Sequence, residues 1–332
     1  MSELYPIPLG IAAYLGYSGY RKGSLSLDGA ITASVVGYAS MANPYIGYGL
    51  TLITFYLTGS KATKFKAQIK EGLETHSTEP AARAAKEVKE SGKKRDTSSG
   101  NRNGVQVLCN SLTAVVACIA FRVLNRGALA VDPLSTSTLT SLSLAGRQVR
   151  ITNLALTLVV AGHYAACMGD TLASELGILS SSTPRLVTNP LRKVPRGTNG
   201  GVSALGLLVS ALGGSLIALT QSLSLLIHYR SSTHVAWDVH VKLGALITAA
   251  GLAGSLIDSL LGATLQQTLY NPSTRKVLVG PITDVLDGNK HDDPTASWQL
   301  ITGLNVLSNN AVNLISSAST ALLTAWAGST LF

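Results

Sequence analysis

An all-α, polytopic helical bundle embedded in a membrane is the fold this sequence predicts, and three observations predict it. Of 332 residues, 46% are apolar and only 13% are charged, against about 25% charged in an ordinary soluble domain. Apolar runs of membrane length recur at 151–172, 202–228, 240–265 and 299–327, with weaker ones at 6–20, 27–42, 44–59 and 105–124. The charged residues gather between these runs. The expected architecture is one membrane domain over 1–332 with about eight transmembrane helices.

The N-terminal MSELYPIPLG has no basic region ahead of an apolar core, so the first run is expected to act as its own insertion signal, without a cleaved signal peptide. Cys109, Cys118 and Cys167 lie in or beside apolar runs, where they read as small buried residues and give no disulfide framework. Residues 61–104 hold eleven of the 26 Lys and Arg and six acids, with almost no apolar periodicity after Leu73. That composition predicts a solvated polar loop. A second polar insert, 125–148, is rich in Ser and Thr.

With eight crossings, 61–104 shares a side with Arg21 and Lys22, with Arg185 to Arg196 and with Arg275 to Lys290. Twenty of the 26 basic residues then lie on that side. The positive-inside rule makes it cytosolic and puts 125–148 on the non-cytosolic side. A net charge of +9 suits anionic partners, but cations in loops between spans face lipid headgroups and phosphorylated substrates. Membrane lipid is the expected partner, and no nucleic acid.

The unusual residues collect at the same side. Asp170 and Glu175 stand at the edge of the fifth run and Asp258 lies within the seventh. An ionised side chain at mid-membrane costs about 2.5–3.5 kcal/mol on insertion scales, so it calls for a partner, an ion or water. Gly254, Asp258 and Gly262 repeat every four residues, a small-residue stripe that admits a second helix close to the carboxylate. Asn305, Asn309 and Asn313 repeat likewise, with Asn310 beside them, while Asn110 and Gln266 add amides at the same span ends. Carboxylates, amide oxygens and waters are ligands of Mg²⁺, and the same groups serve as interhelical hydrogen bonds. For the asparagines both readings stand. The three acids are assigned as metal ligands and catalytic residues.

The segment KVPRGTNGG (193–201) is basic and Gly-rich and leads into an apolar helix. Lys193 and Arg185, with Thr198, Asn199, Gly200 and Gly201, form a candidate phosphate cradle; the alternative is a tight turn in which Thr198 or Asn199 caps the next helix. Lys61 and Lys64 lie three apart on a helix leaving the membrane and suit either a substrate phosphate or headgroups. His163 and Cys167 precede Asp170 on one face, but no second histidine is in reach, so they read as packing rather than zinc ligands.

The blocks GSKATKFKA, VQVLCNS, GDTLASELG, PRLVT, VPRGTNGGVS, GSLIDSLLGATLQQ and NNAVNLISS fall in order over about residues 5–325. In them the chain resembles the transmembrane protein 19 family, which includes the plant phytyl-phosphate kinase. The resemblance implies phosphoryl transfer from a nucleotide triphosphate, CTP or ATP, with Mg²⁺, onto a long-chain isoprenyl monophosphate. The chain departs from the family pattern in inserts at 73–103 and 125–148 and in Leu172, where Trp is expected. The rival class is a transporter or scramblase of lipid phosphates that uses the same polar cluster as a transit site. The expected location is the endoplasmic reticulum membrane.

The charge asymmetry predicts that protease added to sealed, cytosolic-side-out vesicles cuts within 61–104 and spares 125–148. The opposite cleavage pattern would reverse the orientation.

Overall fold

The structure is a computed structural model. It describes residues 5–65, 101–128, 130–144, 146–229, 235–273, 275–279 and 298–332, together with the backbone of 74–76. Among the described residues the helices are α1 (Pro6–Arg21), α2 (Leu27–Met41), α3 (Gly47–Lys64), α4 (Gly104–Cys109), α5 (Leu112–Leu124), α6 (Asn153–Gly177), α7 (Ala204–His228), α8 (Trp237–Leu265) and α9 (Asn309–Leu331). Several starts are set by side-chain caps. Ser26, Asn103, Thr152, Ser203 and Ser308 each accept a hydrogen bond from the backbone N–H three residues on, which stabilises a helix start by about 1 kcal/mol. Gln106 closes a capping box back onto Asn103.

Two expectations need correction, and the expected count of crossings is met in part. First, the fold is mostly helical but not all-α. The strands are β1 (Glu74–His76), β2 (Thr138–Leu144), β3 (Arg147–Thr152), β4 (Arg185–Leu186), β5 (Asn189–Lys193), β6 (Gly201–Val202), β7 (Thr268–Asn271), β8 (Lys276–Val279) and β9 (Gln299–Thr302). They form a β2–β3 hairpin, a β5-β4-β6 sheet and a β1-β8-β7-β9 sheet in which only β1 pairs in parallel. The insert at 125–148 therefore carries β2, whose Thr-Leu-Thr-Ser-Leu-Ser-Leu pattern suits a strand. The loop at 61–104 contributes β1.

Only α7 and α8, among the described residues, are long and apolar enough to cross a membrane by length and composition, with α5 a shorter apolar helix. The helices α1, α2 and α3 have 16, 15 and 18 residues and reach only about 22–27 Å at 1.5 Å per residue. α6 and α9 have the length, with 25 and 23 residues, but polar side chains such as His163 and Asp170 in α6 and Ser316 and Thr320 in α9 interrupt their apolar stretches. Second, the run at 105–124 is broken. The Asn110 side chain donates to the Gln106 carbonyl at 2.8 Å and Ser111 Oγ donates to the Val107 carbonyl at 2.7 Å, so local side-chain bonds compete with the helix where α4 gives way to α5.

α6 is the central helix, packed by α3, α5, α7, α8 and α9. Glycines let the backbones meet. A Cβ on Gly251 (α8) would lie 2.6 Å from Gly214 Cα (α7), and one on Gly213 (α7) would lie 2.9 Å from Gly169 N (α6). A Cβ on Gly169 would collide with the Gly251 carbonyl, and one on Gly254 with Ala166. Loops that follow from this arrangement share one end. Leu25 bridges to Arg102, β1 pairs with β8, and Arg192 Nη2 donates to the Ile301 carbonyl at 2.9 Å. The loops grouped by charge therefore do meet.

Gly251→Ala is predicted to destabilise the purified protein by about 1–3 kcal/mol, because the α7 backbone at Gly214 and Ser210 lies within 3.0 Å of the new methyl. Gly244→Ala, on the same helix with nothing within 4 Å of its Cβ, should be neutral or slightly stabilising. Thermal melting of the two variants side by side checks this.

Candidate active site

α6 continues to Gly177, so Asp170 and Glu175 lie inside the helix and not beyond its end. Asp170 follows Gly169, at the point where α6 meets α8, and Asp258 lies one turn beyond Gly254, where α8 meets Ala166 of α6. This pairing of small residues brings the carboxylates together: Asp170 is within electrostatic range of both Asp258 and Glu175. Asp258 Oδ2 accepts a hydrogen bond from Ser316 Oγ of α9 at 3.0 Å. Asp170 has no hydrogen-bond or ion-pair partner among the described residues. Two acids within electrostatic range of each other, with a single hydrogen bond from Ser316 to one of them, form an unbalanced pair.

The expected three-acid metal set is not assembled. Among the described residues no group of three or more His, Cys, Asp or Glu is gathered tightly enough to hold an ion. Glu175 is within electrostatic range of both Asp170 and Arg102. Asp170 and Asp258 remain as the candidate pair, and Mg²⁺ ordinarily takes one or two carboxylates, completing its shell with water and phosphate.

The 193–201 segment folds as a glycine turn between β5 and β6, with Gly197 at φ 86° and Gly200 at φ 75°, a region where glycine is preferred. Gly200 also presses on α8: a Cβ there would meet Ser259 O at 2.7 Å. The turn thus lies one residue along α8 from Asp258. The helix that follows is capped by Ser203, not by Thr198 or Asn199. Thr198 is buried and donates to the Pro195 carbonyl, Gly201 pairs in β6, and Asn199 Nδ2 is buried with no partner among the described residues. Asn199 and the buried Gln266 both lie against Gly262.

The other candidates separate. Arg185 Nη1 donates to the Pro190 carbonyl at 2.7 Å and so closes its own hairpin, and Lys193 is exposed on β5. Lys61 and Lys64 are exposed in the last turn of α3. Asn305 precedes α9 and is not on a helical face, Asn309 is exposed, and Asn310 and Asn313 are half-buried. The backbone carbonyl of Asn313 accepts from Ser316 and Ser317, and the α9 residue that reaches Asp258 is Ser316. Asn110 turns its carbonyl toward Cys167 Sγ, 3.8 Å away. His163 is fully buried beside Cys167, as the packing reading requires. Leu172 is buried in the core cluster.

Arg102 was hidden by its place in the basic run and is instead built into the bundle. Its backbone N–H donates to the Ser24 carbonyl at 3.1 Å, and its carbonyl accepts from Ser26 N at 3.1 Å and Ser26 Oγ at 3.2 Å. The side chain reaches Gly59 of α3, which also faces Thr171 of α6. Burial holds its guanidinium below the ordinary value, and Glu175 pulls it back up. The sequence signal was the N-x-x-Q capping box that starts at Asn103, which ends the solvated run one residue after Arg102.

The family model described as Integral membrane protein DUF92 matches residues 10–321. The chain is 33% identical over 326 residues to Protein PGR of Arabidopsis thaliana, covering 97% of this chain and 95% of that one. Over 126 residues it is 39% identical to Uncharacterized membrane protein MJ0933 of Methanocaldococcus jannaschii, covering 37% of this chain and 47% of that one. No solved structure matches.

Asp258→Asn should melt at or above the wild-type temperature in divalent-free buffer. The substitution removes one of two facing charges and keeps the Ser316 hydrogen bond, since the amide oxygen can accept it. A fall of several degrees would mean that the paired carboxylates do not oppose each other.

Proposed function

The chain belongs to the DUF92 family of integral membrane proteins, and from that premise we propose that it is a membrane-embedded phosphotransferase acting on a long-chain isoprenyl monophosphate. The donor is a nucleotide triphosphate, CTP or ATP, with Mg²⁺, and the site faces the cytosol from the endoplasmic reticulum membrane. In this reading the helices make eight crossings, α4 and α5 sharing one. The observation that carries the proposal is the Asp170–Asp258 pair, held at the end of the bundle where the basic loops meet.

Phosphoryl transfer needs positioning and charge neutralisation more than covalent chemistry from the protein. Asp170 and Asp258 offer two carboxylates whose oxygens, one hydrogen bond aside, are uncommitted among the described residues. That donor set fits Mg²⁺, which when bound would neutralise phosphate charge. Gly200 and its turn border Asp258 on the α8 side and would steady phosphates there. Lys61 and Lys64 sit at the rim and raise the local concentration of anions.

A transit path for lipid phosphates would need open polar groups running through the bundle. The Ser/Thr face of α9 leads inward from Asp258, but Thr320 Oγ1 and Thr324 Oγ1 each donate to a carbonyl of their own helix at 2.7 Å. Toward the far end Gln221 bonds Tyr45 and Thr51, Tyr48 bonds Thr157, and Asn125 pairs with Asn153. These closed contacts support an enzyme over a transporter.

Purified protein assayed with farnesyl or phytyl monophosphate and each nucleotide triphosphate tests the proposal. Asp258→Asn and Asp170→Asn should each lose more than a hundredfold in turnover, since ~3 kcal/mol of lost charge stabilisation has that effect. Normal turnover in well-folded variants would remove the pair from catalysis.

A further inference from the structure

Four arginines near the site differ in how their side chains are committed. Arg185, Arg192 and Arg196 each donate to a backbone carbonyl, at 2.7, 2.9 and 3.2 Å, Arg185 and Arg196 within their own loop region and Arg192 across to Ile301. Arg102 is the opposite case. Its backbone is clamped on both sides by Ser24 and Ser26, yet among the described residues its guanidinium makes a single long hydrogen bond, Nη2 to Thr63 Oγ1 at 3.4 Å. A guanidinium has five N–H donors in a planar fork. Half-buried, and with most of these donors unused among the described residues, it can receive an oxyanion of matching geometry.

Its position fits that role. The Nη atoms lie 3.7 and 3.9 Å from where a Cβ on Gly59 would sit, and Thr171 Cγ2 lies 3.7 Å from the same point. Thr171 adjoins Asp170. The acid pair is thus flanked on two sides, by the Gly200 turn along α8 and by Arg102 between α3 and α6. Transfer between two phosphates needs an anion holder for each.

We infer that Arg102 is an anion-binding residue of this site, gripping a substrate phosphate by its guanidinium opposite the Gly200 turn. The inference rests on the phosphotransferase reading and adds a residue to it. Glu175 supplies the countercharge that keeps the fork in place, and an incoming phosphate shares or replaces that contact. The phosphate belongs either to the lipid monophosphate or to the nucleotide.

The test measures thermal stabilisation of the full-length protein in detergent, titrated separately with farnesyl monophosphate and with Mg²⁺–nucleotide triphosphate. Arg102→Lys keeps the charge but loses the fork, and should weaken one of these ligands about 10- to 100-fold, the range expected for hydrogen bonds to a charged group. The ligand affected identifies the phosphate. Arg150→Lys, in β3 at the other end of the bundle, should leave both unchanged. If the wild type responds and Arg102→Lys responds equally to both ligands, Arg102 only braces Glu175 and the inference falls while the enzyme reading stands. If the wild type responds to neither, both fall. Should Arg102→Lys fail to fold, phenylglyoxal labelling of the wild type gives the answer: farnesyl monophosphate or nucleotide should protect Arg102, and labelling unaffected by either overturns the inference.

Discussion

The close approach of α6, α7 and α8 at Gly169, Gly213, Gly214 and Gly251 is the contact on which the rest of the molecule depends. Lipid tails are as apolar as leucine, so helices in a bilayer gain little from burying apolar side chains against each other. They associate through close packing and polar contacts, which small residues permit. Here the backbones touch at Gly169, next to Asp170, and at Gly251, about two turns before Asp258. Larger residues at these positions would hold α6 and α8 apart by a side-chain layer, and Asp170 and Asp258 would each face a separate environment. The glycines therefore set the electrostatics of the site as well as the packing.

A second division follows from where the solvent begins. Within the bundle, hydroxyls of Thr51, Ser210, Ser224, Thr320 and Thr324 bond carbonyls of their own helices, satisfying polar groups where water is scarce. Outside it, loop backbones pair as small sheets. The sheet that holds β4, β5 and β6 docks on α8 through Leu186, Val194 and Ala263. The last carbonyls of α8 are met by N–H groups of Leu304, Val306 and Leu307. Both ends of the Asp258 helix segment are thereby fixed, by glycine contacts below and by loops above. A carboxylate needs such a frame if it is to stay opposite another carboxylate.

The membrane character, most helix positions and the grouping of the basic loops at one end were legible in the sequence, because each is a one-dimensional pattern. Apolar runs report burial in lipid, Ser and Asn caps report helix starts, and charges between runs report loops. Asp170 and Asp258 stood out for the same reason, as costly residues in apolar surroundings. The tertiary structure decided what those residues meet. Arg102 came within electrostatic range of Glu175, Ser316 rather than an asparagine reached Asp258, and Arg185 closed its own hairpin. Loop strands such as β1 and β8 pair across about 200 residues of sequence, a distance over which no local pattern carries information. Composition also misled at Arg102, which reads as one more cation in a solvated run. Its burial depends on the Leu25 bridge and on Gly59, contacts between segments that only the folded chain brings together.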